Sequence, residues 1–171
     1  MTYDLIKKEY DAFYNFLLKN GNLLWKDTKL GFWGKVILEE VHEIFKEIKL
    51  EKYNHFLDLG SGDGSVTLIA SLFTNAKGIE IDDDLLKAGV NIKNKLKLNA
   101  NFIHGDFEEH DINQYDIIFI NPDKPFHRGL DQLLSNYKGT IIVYSEHFLP
   151  NNMKQIQDLR KKNLYAILYK N

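Results

Sequence analysis

Apolar positions in this chain follow two rhythms. Between residues 3 and 19, Leu5, Ile6, Tyr10, Phe13, Phe16 and Leu17 recur close to a helical period, and Gly21 ends the run. A second helical pattern covers 36–50, with Val36, Ile37, Val41, Ile44, Phe45 and Ile48 on one face; His42, on the same helix, reads as a surface histidine. From residue 53 short apolar runs alternate with helical ones. Strands are predicted over 53–59, 76–81, 101–104, 115–120 and 140–144, with helices over 66–73, 83–98 and 128–137. The run Ile117-Ile118-Phe119-Ile120 is unbroken, as expected of a central parallel strand buried on both faces. Residues 164–169 read as a last strand. A hairpin turning at 161–163 fits the C-terminus, although 153–160 suits helix or strand.

This alternation predicts an α/β fold, a doubly wound, mostly parallel sheet with helices on both sides. With 171 residues and no linker or repeat, one domain is expected. Residues 1–34 form an N-terminal helix and aromatic lead-in belonging to it, and 35–171 form its body. The helix covers a sheet edge, roofs a pocket or mediates dimerisation, packing being the plainest role. Residues 22–34 read as a loop whose Leu24, Trp25, Phe32 and Trp33 either close over a flat ligand or plug the core.

Composition narrows the function classes. There is no cysteine, so disulfides, thiolate metal sites and thiol catalysis are excluded. No apolar run approaches the roughly 20 residues of a membrane span, and the N-terminus lacks a signal-peptide core, so a cytoplasmic protein is expected. The net charge of −2 lacks the basic excess typical of nucleic-acid binders. Lys87, Lys93, Lys95 and Lys97 read as a solvated helix face.

Candidate chemistry gathers at the carboxyl ends of the strands, where open α/β sheets bind ligands. The first strand ends in Asp58-Leu59-Gly60-Ser61-Gly62-Asp63-Gly64, and a helix follows at once. Glycines permit the tight turn and bring bare backbone to a ligand near a helix N-terminus. The spacing is not the dinucleotide Gly-x-Gly-x-x-Gly, and Asp58 and Asp63 suit a cationic or hydroxyl-rich ligand better than a pyrophosphate. The second strand ends in Glu80-Ile81, where a carboxylate can accept both hydroxyls of a ribose. The third ends in Asp106-Phe107 and the fourth in Asn121-Pro122-Asp123-Lys124-Pro125-Phe126. Glu146-His147 and His127 read as structural, and 108–111 as a solvated loop without metal-ligand spacing.

The glycine loop and this series of strand ends resemble the class I S-adenosylmethionine-dependent methyltransferases, over about residues 35–148. The resemblance implies a seven-stranded sheet closed by an antiparallel β6–β7 hairpin, counted in the family's own order. It implies Asp58, Gly60, Ser61, Gly62 and Asp63 around the methionine end of the cofactor, with Glu80 on the ribose. Asp106 would meet the adenine amino group, Phe107 or Ile81 its ring, and Asn121, Pro122 and Asp123 the methyl group and acceptor. The whole chain also resembles small archaeal methyltransferase-like proteins, through Thr28, Gly31 and Phe32. Amino-group methyltransferases carry Asn-Pro-Pro-aromatic; here Asp123 replaces the second proline and an aromatic arrives only at Phe126. N-methylation of a macromolecular acceptor, an RNA base or a protein side chain, is therefore implied, with Asp123 able to take a proton from an amine. A cofactor-binding protein without catalysis is the alternative, and an aminopropyltransferase a more distant one. A thermal-shift screen separates the methyltransferase from an aminopropyltransferase or a dehydrogenase: S-adenosylmethionine is expected to raise Tm, decarboxylated S-adenosylmethionine and NAD are not, and a shift with NAD would reverse the reading.

Overall fold

Four apolar residues in a row leave a strand no polar face, so it must be covered on both sides. The computed structural model describes every residue except Met1, His127 and Asn151, and only the backbone of Arg128. In it β6 (Ile117–Ile120) is buried throughout and lies at the centre of a seven-stranded sheet. It pairs in parallel with β3 (His55–Leu59) on one side and β7 (Thr140–Val143) on the other. Beyond β3 come β4 (Asn75–Glu80) and β5 (Ala100–His104), also parallel. Beyond β7 comes β9 (Ile167–Lys170), antiparallel to it and to the edge strand β8 (Lys154–Asp158). The order is β5-β4-β3-β6-β7-β9-β8. This is the class I methyltransferase sheet, and the C-terminal hairpin turns at Asn163, whose φ of 59° is left-handed. β8 carries an irregularity between Gln155 and Gln157.

Alternation along β3 and β6 divides the core in two. Phe56, Ile117 and Phe119 join the layer formed by α1 (Tyr3–Lys19), α2 (Leu38–Glu47), α3 (Ser65–Ala70) and α4 (Asp83–Leu96). Leu57, Ile118 and Ile120 face the other layer, with Leu130 and Leu134 of α5 (Arg128–Ser135). Gly64 begins α3 with a φ of 79°, and a Cβ there would collide with the Phe102 ring, so glycine is required twice over.

Two features differ from the sequence expectation. Residues 22–34 are not a plain loop: β1 (Trp25–Asp27) and β2 (Phe32–Gly34) pair antiparallel as a separate two-stranded sheet. Its turn is closed by the Thr28 N–H and hydroxyl, which both donate to the Gly31 carbonyl at 2.7 and 2.9 Å. Trp25 and Phe32 stack across it at 5.5 Å. Three-residue strands are too short to show a period. His42 is not a free surface residue either. Its ring stacks on Tyr3 at 4.1 Å between α1 and α2, and partial burial lowers its pKa.

The N-terminal helix is fixed by hydrogen bonds as well as by apolar packing. The Tyr10 hydroxyl donates to the Asp63 carbonyl and the Tyr14 hydroxyl to Asp63 Oδ2, both at 2.8 Å and both buried. Lys35 lies over the Tyr14 ring, 4.7 Å from its centroid. Replacing Tyr14 by Phe keeps the ring but strips a buried carboxylate of a donor, a loss that costs about 1–3 kcal/mol. Denaturant unfolding of Tyr14→Phe is expected to show that loss, and an unchanged midpoint would mean the bond contributes nothing to docking.

Candidate active site

The carboxyl ends of β3, β4, β5 and β6 lie side by side, on either side of the point where the strand order reverses, between β3 and β6. A cleft partly open to solvent lies there. Each strand end contributes to its wall: Gly60 after β3, Glu80 and Ile81 at β4, Asp106 and Phe107 after β5, Asn121, Pro122 and Asp123 after β6. Much of the remaining wall comes from the β1–β2 hairpin, through Thr28, Leu30, Gly31, Phe32 and Trp33.

Glu80 is the most constrained group of the wall. One oxygen accepts the N–H of Gly62 at 2.7 Å; the other accepts those of Ile81 and Asp82 at 2.9 and 2.8 Å. Two carboxylate oxygens offer about four acceptor positions, so one remains for a ligand hydroxyl. Asp106 uses Oδ1 to cap the single turn Phe107–Glu109, at 2.9 Å from the Glu108 N–H. Its second oxygen is left for the cavity, beside the Phe107 ring. A polar acceptor next to an apolar plate suits a nucleoside with an exocyclic amine, so these residues fit the adenosine of S-adenosylmethionine. Among the described residues no hydrogen bond engages the Asn121 amide, which stands exposed at the other end of the cavity.

Four residues of the glycine loop expected at the cofactor stand back from the cavity wall. Asp58 is buried and accepts the Thr67 hydroxyl at 2.8 Å. The Ser61 side chain lies over Gly78, where a Cβ would come within 2.7 Å of it. Gly62 has a φ of 54°, and the Trp33 indole covers it so closely that a Cβ would run into the ring. Asp63 caps the loop onto the Ser65 N–H and holds α1. The motif thus divides: Gly60 meets the cavity, and its neighbours build the loop.

The residues expected to be structural are also placed. Glu146 and His147 lie in an exposed bend outside the cavity wall, and His110 pairs with the Tyr115 hydroxyl at 3.1 Å. His127 lies outside the described residues. Phe126, the displaced aromatic, packs against the lower core rather than the cavity. Phe32 supplies the ring instead. It reaches the wall because Asp123 Oδ2 accepts its N–H at 2.7 Å, a contact across 91 residues that no local pattern announces.

An ordered sheet with these strand ends defines a class I S-adenosylmethionine-dependent methyltransferase. Residues 26–171 match the model of the histone methylation protein DOT1 family, and the chain belongs to that family. No curated protein matches the sequence significantly. Among solved structures, similar folds include an RNA methyltransferase from Salinibacter ruber in complex with S-adenosyl-L-homocysteine. It shares 20% identity at a TM-score of 0.57, over 79% of this chain and 90% of that one. The Escherichia coli protein yhhF is similar at 21% identity and a TM-score of 0.60, over 77% and 85%. A tRNA (uracil-54, C5)-methyltransferase from Pyrococcus abyssi matches at 19% identity and 0.54, over 66% of this chain and 35% of that one.

Beneath the loop, burial pushes the Asp58 carboxyl up to about 7, aided by the charges of Glu80 and Asp63 and opposed by the Thr67 hydroxyl. Burial raises Asp63 as well, against its bonds from Ser65 and Tyr14 and the charge of Lys35. A carboxyl with a pKa of 3.8 unfolded and about 7 folded binds its proton more tightly when folded. Its stabilising effect is complete below about pH 4 and is lost as the pH rises towards 7. Asn at position 58 still accepts from Thr67 but cannot ionise. Asp58→Asn is therefore expected to flatten the fall in Tm between pH 4 and 7, with Asp63 keeping part of the slope. A variant that loses Tm as steeply as the wild type would remove Asp58 from this role.

Proposed function

We propose that this methyltransferase methylates the amine of a protein lysine side chain. The observation that carries the reading is the charge of the cavity wall. Among the described residues it bears the carboxylates of Glu80, Asp106 and Asp123 against the ammonium of Lys124. Such a wall attracts a cationic side chain and repels a phosphate backbone. The DOT1 family's own description, histone methylation, points to the same kind of acceptor. The RNA methyltransferase of Salinibacter ruber keeps an RNA acceptor as the second reading.

When bound, S-adenosylmethionine would supply a methyl group on a sulfonium: once the lysine ammonium has given up a proton to solvent, its nitrogen would take the methyl in line and S-adenosylhomocysteine would leave as the neutral thioether. The protein's part is to orient the amine, strip it of water and hold its charge. The Asn121 side-chain oxygen is suited to accept one amino hydrogen and aim the lone pair along the displacement axis. Phe32 and Trp33 supply apolar surface to the same cavity wall. Gly60, Glu80, Asp106 and Phe107 would hold the cofactor. Positioning of this kind accounts for much of the acceleration in transfers that need no strong base. Among the described residues no helix is long and apolar enough to cross a membrane. With no cysteine in the chain, action in the cytoplasm on a protein partner completes the reading.

The test is transfer of a tritiated methyl group from S-adenosylmethionine to a lysine-rich peptide, its arginine-substituted counterpart and bulk RNA. Label is expected in the lysine peptide alone. Asn121→Ala is expected to lower the rate on the order of 100-fold, as loss of alignment commonly does. Label in RNA would transfer the assignment to a nucleic-acid acceptor. Cofactor binding without label anywhere would favour a non-catalytic role.

A further inference from the structure

The β1–β2 hairpin belongs to no larger sheet, and each strand is three residues long. Isolated two-stranded hairpins are marginal in water, so something else must hold this one in place. Its own apolar groups do so only in part. Trp25, Leu30 and Phe32 are about half exposed, while Trp33 lies on Gly62. What remains is a set of polar ties. The Phe32 N–H donates to Asp123 Oδ2 at 2.7 Å, and Lys124 Nζ donates to the Leu30 carbonyl at 3.1 Å. On the far side Lys26 meets the Asp82 carboxylate at 2.8 Å.

The ties to 123 and 124 sit immediately after Asn121-Pro122, so the hairpin is pinned to the segment that faces the acceptor. Gly31 shows how close the fit is. A Cβ there would come within 2.8 Å of the Asp123 carboxylate, closer than real Cβ atoms approach anything. Any larger residue at 31 would make the end of the Asp123 side chain swing aside, away from its bond to the Phe32 N–H.

We propose that Asp123 is a positioning residue that latches the β1–β2 hairpin over the cavity, and that the hairpin is the lid through which cofactor product leaves. This goes beyond the acceptor reading above and rests only on the cavity being the cofactor site. Asp123 acts through the Phe32 N–H, which places Phe32 and Trp33 against the cavity. It is not the proton acceptor. The latch needs an oxygen at the end of a short side chain and no charge that titrates, and that requirement separates it from a base.

The experiment follows release of S-adenosylhomocysteine from the full chain by stopped-flow tryptophan fluorescence, since Trp33 lies on the cavity wall. Circular dichroism confirms folding of each variant. Asp123→Ala removes the acceptor and Gly31→Ala wedges the hairpin away from it, so both are expected to release the ligand about tenfold faster. Asp123→Asn keeps a carbonyl oxygen for the Phe32 N–H and is expected to release within about twofold of wild type. Wild-type release by both alanine variants would overturn the latch, as would Asp123→Asn releasing as fast as Asp123→Ala. Normal release by Asp123→Asn with methylation lost by about 100-fold or more would show a base and overturn the positioning role. Because no acceptor enters the release measurement, failure of the lysine assignment leaves the release comparison intact, and only the methylation comparison then waits on the acceptor.

Discussion

Three backbone N–H groups on one carboxylate hold the active end of this molecule together. Glu80 ends β4, yet one of its bonds crosses to Gly62, in the loop that follows the neighbouring strand. The other two are to Ile81 and Asp82, at the start of its own loop. Hydrogen bonds to a charged group are worth more than neutral ones, and Glu80 is buried. Glu80 thus ties the glycine loop in the conformation in which Gly60 meets the cavity and Gly62 lies under Trp33. The order of strands brings the loops together; this one side chain fixes how they sit.

The loop is fixed from its other face as well. Asp63 offers an oxygen to Ser65 within the loop, another to Tyr14, and its carbonyl to Tyr10. The N-terminal helix, which lies outside the sheet, is thereby joined to the same turn that faces the ligand. It packs on α3 and α4 and adds no residue to the cavity wall. A helix that looks like added cover is thus part of the loop's support.

How much of this was readable follows from the range of each signal. The strand around Ile118 was legible because its apolar run is unbroken, as a strand covered on both faces requires, and the one around Leu57 because a short apolar run ends there in a glycine turn. That Gly60, Glu80, Asp106 and Asn121 share one cavity wall was legible because each stands at a strand's carboxyl end, and a parallel sheet puts such ends on one side. The hairpin was not, because its strands are shorter than two periods of alternation. Nor was the Phe32–Asp123 contact, which joins residues far apart in sequence. Tyr14 was readable only as an aromatic near an apolar stripe; no pattern distinguishes a ring that packs from a hydroxyl that binds. What was missed is long in range and polar, and what was seen is local and apolar.

The irregularity at Gln155–Gln157 has a bearing on life at high protein concentration. β8 is an outermost strand, and its free N–H and C=O groups offer a template for another chain to extend the sheet. The bulge breaks the regular spacing of those groups. Lys154 and Gln155 stand exposed along the same strand, so an incoming strand would meet an ammonium and an uneven ladder. Ile156, also exposed there, favours association. The bulge thus acts as a guard against fibre-like self-association, placed at the rim farthest from the chemistry.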